Sequence, residues 1–344
     1  MKYVIIGDLH CRLSKYSVNI DNIPEQLFYP LHNLKLAAEL AKKEGAILIV
    51  AGDVNDSKRM VHQQVITKVS ETIMEVHNMV ETYFLLGNHD FETNNDEVYS
   101  YLLNLPINLA KPKEPIINNE FALVSYSFDK EQLIDDLKTA ISNNPKLIVS
   151  HFGLLEGKLS GSEYRTGEFS IKDLKGLENT WIILGHYHKP QEITNRIYYV
   201  GSPTPVNISE FNENKRILLL DTQTNEIKSI PTIYPKTHFQ DLTMQDVVDT
   251  NNIIQTIKDS YDKYIFKMDK NHKQFKILKK LSIEYPGYIY IKENQSENII
   301  DDTEINFESF KIDTVFNEFL DKSNVSNDKK DTYLHVGINI LNQR

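Results

Sequence analysis

Five short and largely apolar runs, rich in β-branched residues, follow one another along the first part of the chain: YVII, AILIV, ETYFLL, KLIV and WIIL. Such runs are typical of strands that are buried on both faces of a sheet. Further strands are predicted in RIYYV and RILLLDT. Helices are predicted over 30–43, 60–78, 96–105 and 130–142. This alternation from residue 1 to about 221 predicts a layered α/β domain.

A polar motif follows each of the five runs, at the point where the predicted strand ends. The motifs are GDLH at 7–10, GDVND at 52–56, GNHD at 87–90, SHFG at 150–153 and GHYH at 185–188. Layered α/β folds place their chemistry in loops at strand ends. Each motif alone is also typical of a capped turn, in which glycine supplies a positive φ and aspartate caps a helix. Five motifs in this order favour one shared site instead.

The motifs supply side chains that bind hard divalent metals. Asp, Asn and His offer oxygen and imidazole ligands, which suit manganese, magnesium, iron and zinc. The chain has a single cysteine, Cys11, so a thiolate site is excluded, and we expect Cys11 to be a buried filler. Two metals about 3.5 to 4 Å apart can polarise a phosphoryl group and activate water. Such a pair needs a bridging carboxylate, and we predict that Asp53 is the bridge.

The order D-x-H, G-D-x-x-D, G-N-H-D, H and G-H-x-H resembles the calcineurin-like metallophosphoesterase superfamily, which implies a layered β-sandwich flanked by helices. The resemblance implies that the first metal ion is held by Asp8, His10, Asp53 and His188. It implies that the second is held by Asp53, Asn88, His151 and His186. His89 is then a general acid that faces the leaving group, because imidazole titrates near neutral pH. We expect Asp90 to orient His89.

The chain beyond the predicted sandwich indicates smaller units. We place a metallophosphoesterase domain at 1–230 and an α+β cap at 231–292. Within the cap, helices are predicted over 243–261 and 270–280, and strands over 264–268 and 281–293. Residues 293–308 are acidic and polar and predict a linker. Apolar residues at helical spacing over 309–344 predict a helical pair, which is too short to bury its own apolar face and docks on a partner or folds back on the cap.

This layout, with the turn GSPTP at 201–205, is similar to that of SbcD-type nuclease subunits of DNA double-strand-break-repair complexes, including recombination endonuclease subunits of tailed phages. The resemblance implies cleavage of DNA phosphodiesters with manganese, or with magnesium, as an exonuclease on ends and an endonuclease on single strands. It implies in-line attack by a hydroxide held between the metals. It also implies an SbcC-type coiled-coil ATPase docked on 309–344 and a homodimer through helices 60–78 and 96–105.

One motif position departs from part of this family. Archaeal and eukaryotic relatives carry a histidine where this chain has Asp56. A carboxylate does not donate a proton at neutral pH unless its pKa is raised. We therefore expect Asp56 to support its loop.

The charge of the chain restricts how it contacts nucleic acid. The 344 residues carry a formal net charge of −10, which argues against an extensive basic surface. A local basic stripe is still compatible with this charge. The predicted DNA contacts beside the motifs are Arg12, Lys15, Lys58, Arg59, Lys158 and Arg165. A lysine-rich stretch at 258–280 is a second candidate, and a solvated helix face is its alternative.

The remaining expectations concern location and competing functions. No apolar stretch approaches the roughly 18 to 20 residues of a membrane span, and one cysteine forms no internal disulfide, so we expect a cytoplasmic protein. A general metallophosphatase or a small-substrate phosphodiesterase uses the same five motifs. A non-enzymatic scaffold would need a broken site. The C-terminal segments favour the nuclease, because enzymes of small substrates do not need them.

Overall fold

The computed structural model describes residues 1–14, 19–57, 60–91, 100–159, 167–174, 177, 179–210 and 212–294. Residues Met1–Glu293 form one compact unit. The predicted helical pair at 309–344 and nearly all of the predicted linker at 293–308 lie outside the described residues. Among the helices that are described, none has both the length and the apolar character of a membrane span.

The strands and helices are numbered in chain order. The strands are β1 (Lys2–Ile6), β2 (Asn19–Ile20), β3 (Ile23–Pro24), β4 (Ile47–Ala51), β5 (Thr82–Leu85), β6 (Asn108–Ala110), β7 (Ile116–Ile117), β8 (Phe121–Val124), β9 (Leu147–His151), β10 (Trp181–Gly185), β11 (Gln191–Thr194), β12 (Ile197–Tyr199), β13 (Arg216–Asp221), β14 (Glu226–Pro231), β15 (Thr237–Leu242), β16 (Lys263–Met268) and β17 (Ile289–Glu293). The helices are α1 (Glu25–Glu44), α2 (Gln63–Met79), α3 (Lys130–Ser142), α4 (Thr250–Ser260) and α5 (Phe275–Glu284).

Two mixed sheets form a sandwich. The first has the order β14-β13-β1-β4-β5-β6 and the second the order β11-β12-β10-β9-β8-β7. In the first sheet β1, β4, β5 and β6 are parallel, and in the second β8, β9, β10 and β12 are parallel. The carboxyl ends of parallel neighbours lie at one edge of a sheet, so the motifs that follow β1, β4 and β5 are brought together.

The sandwich core explains why the five runs are apolar throughout. Side chains such as Ile5, Ile49 and Val149 fill the space between the sheets. Their neighbours along the strands face outward, where α1 and α2 cover the first sheet and α3 covers the second. Both faces of each central strand are therefore buried, as their continuous apolar pattern requires. The predicted layered α/β sandwich flanked by helices is confirmed.

Two predicted helices can be compared with the structure at their boundaries. Helix α1 begins at Glu25 rather than at Pro30, because the buried face of the helix already includes Leu27. Pro30 lies inside the helix, where it removes one backbone donor without ending it. Helix α3 has the predicted bounds, and Asp129 caps it by accepting hydrogen bonds from two backbone N–H groups.

The predicted helix at 96–105 is not found in the residues of that segment that the structure describes. A short 3₁₀ turn covers Tyr101–Asn104, and residues 92–99 lie outside the described residues. The predicted helix at 60–78 corresponds to α2. The apolar stripe of α2 is buried in the core of this chain, in the cluster shared with α1, through Val65, Val69, Ile73 and Val76.

The segment that follows β14 forms a third sheet with the order β15-β16-β17 and its own apolar cluster. The predicted strand at 281–293 is wrong in its first half, because α5 continues to Glu284 and β17 begins at Ile289. Leu278 and Leu281 are both buried, a spacing that a helix places on one face. Strand β15 is not predicted from the sequence, because THFQDL has little apolar character.

Polar contacts join the third sheet and the segment before it to helix α1. Asn33 is fully buried, and its side-chain amide donates to the carbonyl of Ile233 over 2.7 Å and accepts from the Ile233 N–H over 2.9 Å. Glu25 is also buried and accepts from Lys263 over 2.9 Å and from the Tyr288 hydroxyl over 3.3 Å. Helix α1, which follows the first motif, therefore also anchors residues 231–292.

Replacing Asn33 by alanine tests this anchor. The substitution leaves the backbone groups of Ile233 without their partners, and we expect the free energy of unfolding to fall by about 1 to 3 kcal/mol. Urea unfolding of the full chain measures the change. The control is Asn251→Ala, at an exposed position of α4, which should change the value by less than about 0.5 kcal/mol. Equal effects of the two substitutions would contradict the anchor.

Candidate metal centre

Backbone hydrogen bonds hold the first two motif loops side by side. The N–H of Asp8 donates to the carbonyl of Gly52 over 2.9 Å, and the N–H of His10 donates to that of Asp53 over 3.0 Å. Asp8, His10 and Asp53 all have positive φ angles, of 52°, 46° and 51°. L-residues adopt this region only at a cost, and such positions cluster at functional sites. The paired loops hold these side chains in an otherwise unfavourable conformation.

Glycine is required where the loops approach one another. A Cβ atom on Gly87 would lie 2.2 Å from Oδ1 of Asp53. A Cβ atom on Gly185 would lie 2.2 Å from the carbonyl oxygen of Ala51. Neither distance is possible between real atoms, so Gly87 allows close approach to Asp53 of the second motif, and Gly185 allows close approach to Ala51, which precedes that motif.

Asp53 lies at the centre of the cluster. Its Oδ2 is 3.5 Å from Nε2 of His10 and 3.3 Å from Nε2 of His151. Its Oδ1 accepts a hydrogen bond from the backbone N–H of His89 over 2.7 Å. His10 follows a strand of the first sheet, and His151 ends a strand of the second. The position of Asp53 between them is the one that a bridging carboxylate needs.

The structure brings all seven predicted metal-ligating side chains together. The ligand atoms of Asp8, His10 and His188 lie within 4.8 Å of one another, and so do those of Asp8, Asp53 and His151. Oδ1 of Asn88 is 3.1 Å from Nε2 of His151 and 3.0 Å from Nδ1 of His186. Asp8 belongs to both groups, whereas the sequence predicts Asp53 alone as the shared residue.

Unpaired atoms in the cluster fit a cation. Within the part of the chain that the structure describes, Oδ2 of Asp8 and both ring nitrogens of His10 are buried and make no hydrogen bond; the ring nitrogens lie 3.5 Å from Oδ2 of Asp53 and 3.4 Å from Oδ1 of Asp56. Leaving buried polar atoms unpaired costs free energy, and a divalent ion in contact with them would remove that cost. Carboxylate, imidazole and amide oxygen donors suit manganese, magnesium, iron or zinc. The residues present therefore fit the metals that the motifs predict.

The electrostatics of the cluster favour an ionised Asp53. Burial alone raises the pKa of Asp53, but the neighbouring His151 and His10 outweigh it, and the net pKa is well below its usual range. Burial lowers the pKa of His151, but Asp53 raises it to about 9. Burial raises the pKa of Asp8. Burial and the adjacent His151 lower the pKa of His186 to about 3.

His89 lies beside this cluster and belongs to neither group of ligand atoms. Its Nδ1 is 2.6 Å from the carbonyl oxygen of Asp56, and its ring centroid is 4.9 Å from that of His10. A carbonyl oxygen only accepts hydrogen bonds, so Nδ1 carries the proton in this contact. The second ring nitrogen, Nε2, is then the one that can exchange a proton with a substrate.

Asp90 is buried beneath the motif loops. Its carboxylate accepts hydrogen bonds from the N–H of Gly87 over 2.9 Å and from the N–H of Asn55 over 3.0 Å. Burial and the nearby Asp53 raise the pKa of Asp90 to about 7. These contacts link the second and third motifs. Asp90 therefore acts on the position of His89 through the backbone of the third motif, which carries both residues.

Asp56 and Arg12 form a second link between loops. Oδ1 of Asp56 accepts from Nη1 of Arg12 over 2.9 Å and lies 3.4 Å from Nδ1 of His10. Arg12 also donates to the carbonyl of Val206, in the loop after the fifth motif. Burial raises the pKa of Asp56, but His10 and Arg12 lower it below its usual range. The Asp56 side chain thus contacts two residues that follow the first strand, and its role in supporting its loop stays a prediction.

The predicted DNA contacts are only partly described. Arg12 lines the site and pairs with Asp56, and Lys158 is exposed on the loop after the fourth motif. Lys15, Lys58, Arg59 and Arg165 lie outside the described residues. Cys11 is buried, as expected.

A cleft opens beside His10 and extends to the third sheet. We call it the cap cleft; its volume is about 190 Å³, and its lining includes His10, Arg12, Tyr29, Tyr234, Lys263 and Tyr290. Two of its cations are already paired, Arg12 with Asp56 and Lys263 with Glu25. The aromatic rings come from helix α1, from the segment after β14 and from β17.

Tyr126 and Glu210 lie outside the motifs and contact predicted ligands, and the sequence did not identify them. The ring of Tyr126 is stacked on that of His186, with an interplanar angle of 14°. The carboxylate of Glu210 lies 3.0 Å from Nδ1 of His188. In the sequence, the turn GSPTP at 201–205 was the feature that drew attention to the loop containing Glu210.

Comparisons with known proteins identify the family of this chain. The family model described as calcineurin-like phosphoesterase matches residues 1–190. The SbcD subunit of the nuclease SbcCD from Staphylococcus epidermidis is 26% identical over 348 residues, covering 91% of this chain and 89% of the relative. Exonuclease subunit 1 of enterobacteria phage T4 is 22% identical, covering 78% and 80%. A putative phosphoesterase of invertebrate iridescent virus 6 is 24% identical, covering 68% and 81%.

The family model covers more than half of the chain and includes all five motifs. The resemblance drawn from those motifs is therefore confirmed. The chain belongs to the calcineurin-like phosphoesterase family and is a metal-dependent phosphoesterase.

Proposed function

We propose that this chain is the nuclease subunit of a DNA recombination or repair complex and hydrolyses DNA phosphodiesters. The observation that carries the proposal is a complete cluster of donors around Asp53, with His89 beside it, in a chain that is similar to an SbcCD subunit over 91% of its length. The similarity to a phage exonuclease subunit supports the same substrate class.

Two divalent metal ions, of manganese or magnesium, complete the site in this proposal. The first ion would be held by Asp8, His10, Asp53 and His188. The second would be held by Asp53, Asn88, His151 and His186. When bound, such ions offset the charge of the phosphoryl oxygens and lower the pKa of water.

The protein residues supply orientation and proton transfer. His89 donates from Nδ1 to the Asp56 carbonyl, which fixes the plane of the ring. A protonated ring in that position donates its Nε2 proton to the sugar oxygen that leaves when the P–O bond breaks. A water-derived oxygen attacks phosphorus from the opposite side, so no group becomes covalently attached to the protein.

The cap cleft supports a polymeric substrate over a small phosphate ester. It begins at His10, within the candidate site, and continues to Tyr290 on the third sheet. Aromatic rings in such a cleft can stack on bases of any sequence, and phosphate contacts carry no sequence information. We therefore expect little sequence preference. A phosphatase or small-substrate phosphodiesterase would have no need of this extension.

We also propose an ATPase partner. The relative from S. epidermidis is named as one subunit of the nuclease SbcCD, so it acts with another subunit. An SbcC-type coiled-coil ATPase docked on 309–344 fits this relationship, and that segment lies outside the described residues. A homodimer through α2 and the segment near residue 100 stays a prediction. It would use the exposed face of α2, because the apolar stripe is buried against the chain's own core.

Two substitutions test the proposed chemistry. We expect purified chain to cleave end-labelled DNA with manganese and to stop when the metal is chelated. His89→Ala should abolish cleavage and keep metal binding, because His89 is outside the ligand groups. Asp53→Ala should abolish both. The measurements are DNA cleavage and manganese binding by calorimetry.

Two small esters, p-nitrophenyl phosphate and bis-p-nitrophenyl phosphate, serve as reference substrates. Intact DNA together with rapid turnover of these esters would contradict the nuclease and favour the phosphatase. Full cleavage by either variant would contradict the mechanism.

Replacing Tyr290 by alanine tests the cap cleft. Loss of one stacking contact is worth about 1 to 3 kcal/mol, so we expect DNA cleavage at low substrate concentration to fall at least about fivefold. Hydrolysis of bis-p-nitrophenyl phosphate should not change. Val247→Ala, at an exposed position outside the cleft lining, is the control. A parallel loss on both substrates would show that Tyr290 acts on the site itself rather than on DNA.

A further inference from the structure

The loop after the fifth motif surrounds a buried carboxylate. Glu210 is 0% exposed and ends the 3₁₀ turn Ile208–Glu210. Its donors are Nδ1 of His188 at 3.0 Å, Nζ of Lys215 at 2.6 Å, Nδ2 of Asn207 at 2.7 Å, the N–H of Val206 at 3.0 Å and Oγ of Ser202 at 3.4 Å. A single side chain thus organises the whole loop that begins with the turn GSPTP.

The partners of Glu210 keep it ionised. The five groups around it all donate to its oxygens, and the ammonium group of Lys215 lies 2.6 Å from Oε2, so the negative charge of the carboxylate is matched inside the protein. Lys215 is itself buried at 2% exposure, and it also donates to Glu213 over 2.7 Å. Buried ion pairs of this kind contribute little net stability, so stability alone does not account for the pair.

The geometry fixes both the ring and the backbone of His188. An ionised carboxylate only accepts hydrogen bonds, so Nδ1 of His188 must carry a proton in its contact with Glu210. The lone pair of the neutral ring is then on Nε2. Nζ of Lys215 also donates to the backbone carbonyl of His188 over 2.9 Å. The ligand atoms of His188 lie in one group with those of Asp8 and His10.

We propose that Glu210 is a positioning residue, which orients His188 and strengthens it as a metal ligand, and that Lys215 holds Glu210 in place. The inference rests on the proposed metal centre. Histidine ligands commonly donate their second ring N–H to a carboxylate, and removal of that carboxylate weakens metal binding by about 10- to 100-fold. The turn GSPTP and the loop after it serve to bring this carboxylate beneath the fifth motif.

Manganese binding to the full chain tests the proposal. Calorimetric titration of the native sequence should detect two ions. Glu210→Ala should weaken one of the two sites by about 10- to 100-fold and leave the other unchanged. Glu210→Gln, which keeps the volume of the side chain and loses its charge, should give a smaller loss at the same site. Activity is not needed for this readout.

Glu213→Gln is the matched control. Glu213 accepts from the same ammonium group of Lys215, whereas Nδ1 of His188 bonds to Glu210. We expect native manganese affinity at both sites in this variant. Equal metal binding by the Glu210 variants and the native chain would overturn the positioning role. Failure of the native chain to bind manganese would instead overturn the proposed metal centre itself.

A measurement on the native chain covers the case in which the Glu210 variants do not fold. In protein loaded with diamagnetic Zn²⁺, long-range ¹H–¹⁵N spectra of the histidine rings report which nitrogen carries the proton. We expect the proton of His188 on Nδ1 and zinc ligation through Nε2. Ligation through Nδ1 would contradict the proposal.

Discussion

The carboxylate of Asp53 lies buried between side chains of two different sheets, and the arrangement of the site depends on it. His10 comes from the first sheet and His151 from the second, and both are within 3.5 Å of the same oxygen, Oδ2. The other oxygen accepts from the backbone of the loop that carries His89. One ionised group therefore contacts side chains associated with both sheets at this edge and the backbone of the third motif.

Such a cluster needs a rigid support. Four of its residues, Asp8, His10, Asp53 and His186, have positive φ angles, each of which costs on the order of 1 to 3 kcal/mol. Apolar packing between the sheets and on their outer faces offsets this cost, and hydrogen bonds between the first two loops prevent relaxation. The close packing of the loops also explains why the third and fifth motifs contain glycine. A side chain at Gly87 would collide with Asp53, and one at Gly185 would collide with Ala51.

The sequence was most informative where one physical requirement determines the pattern. Strands buried on both faces must be apolar throughout, and a metal cluster must draw on a few donor types, so the five strands and seven candidate ligands could be predicted. Prediction failed where tertiary packing decides. Helix α1 begins at Glu25 and not at Pro30, because the turn before Pro30 already packs Leu27 into the core, and the polar strand β15 is formed by its partner β16. Glu210 could not be identified, since no local pattern separates a buried glutamate from an exposed one.

The central claim is that Asp53 bridges two metal ions, and anomalous diffraction tests it most directly. Crystals grown with manganese should show two anomalous peaks about 3.5 to 4 Å apart, with the Asp53 carboxylate between them. A single peak, or peaks that lie away from Asp53, would contradict the account.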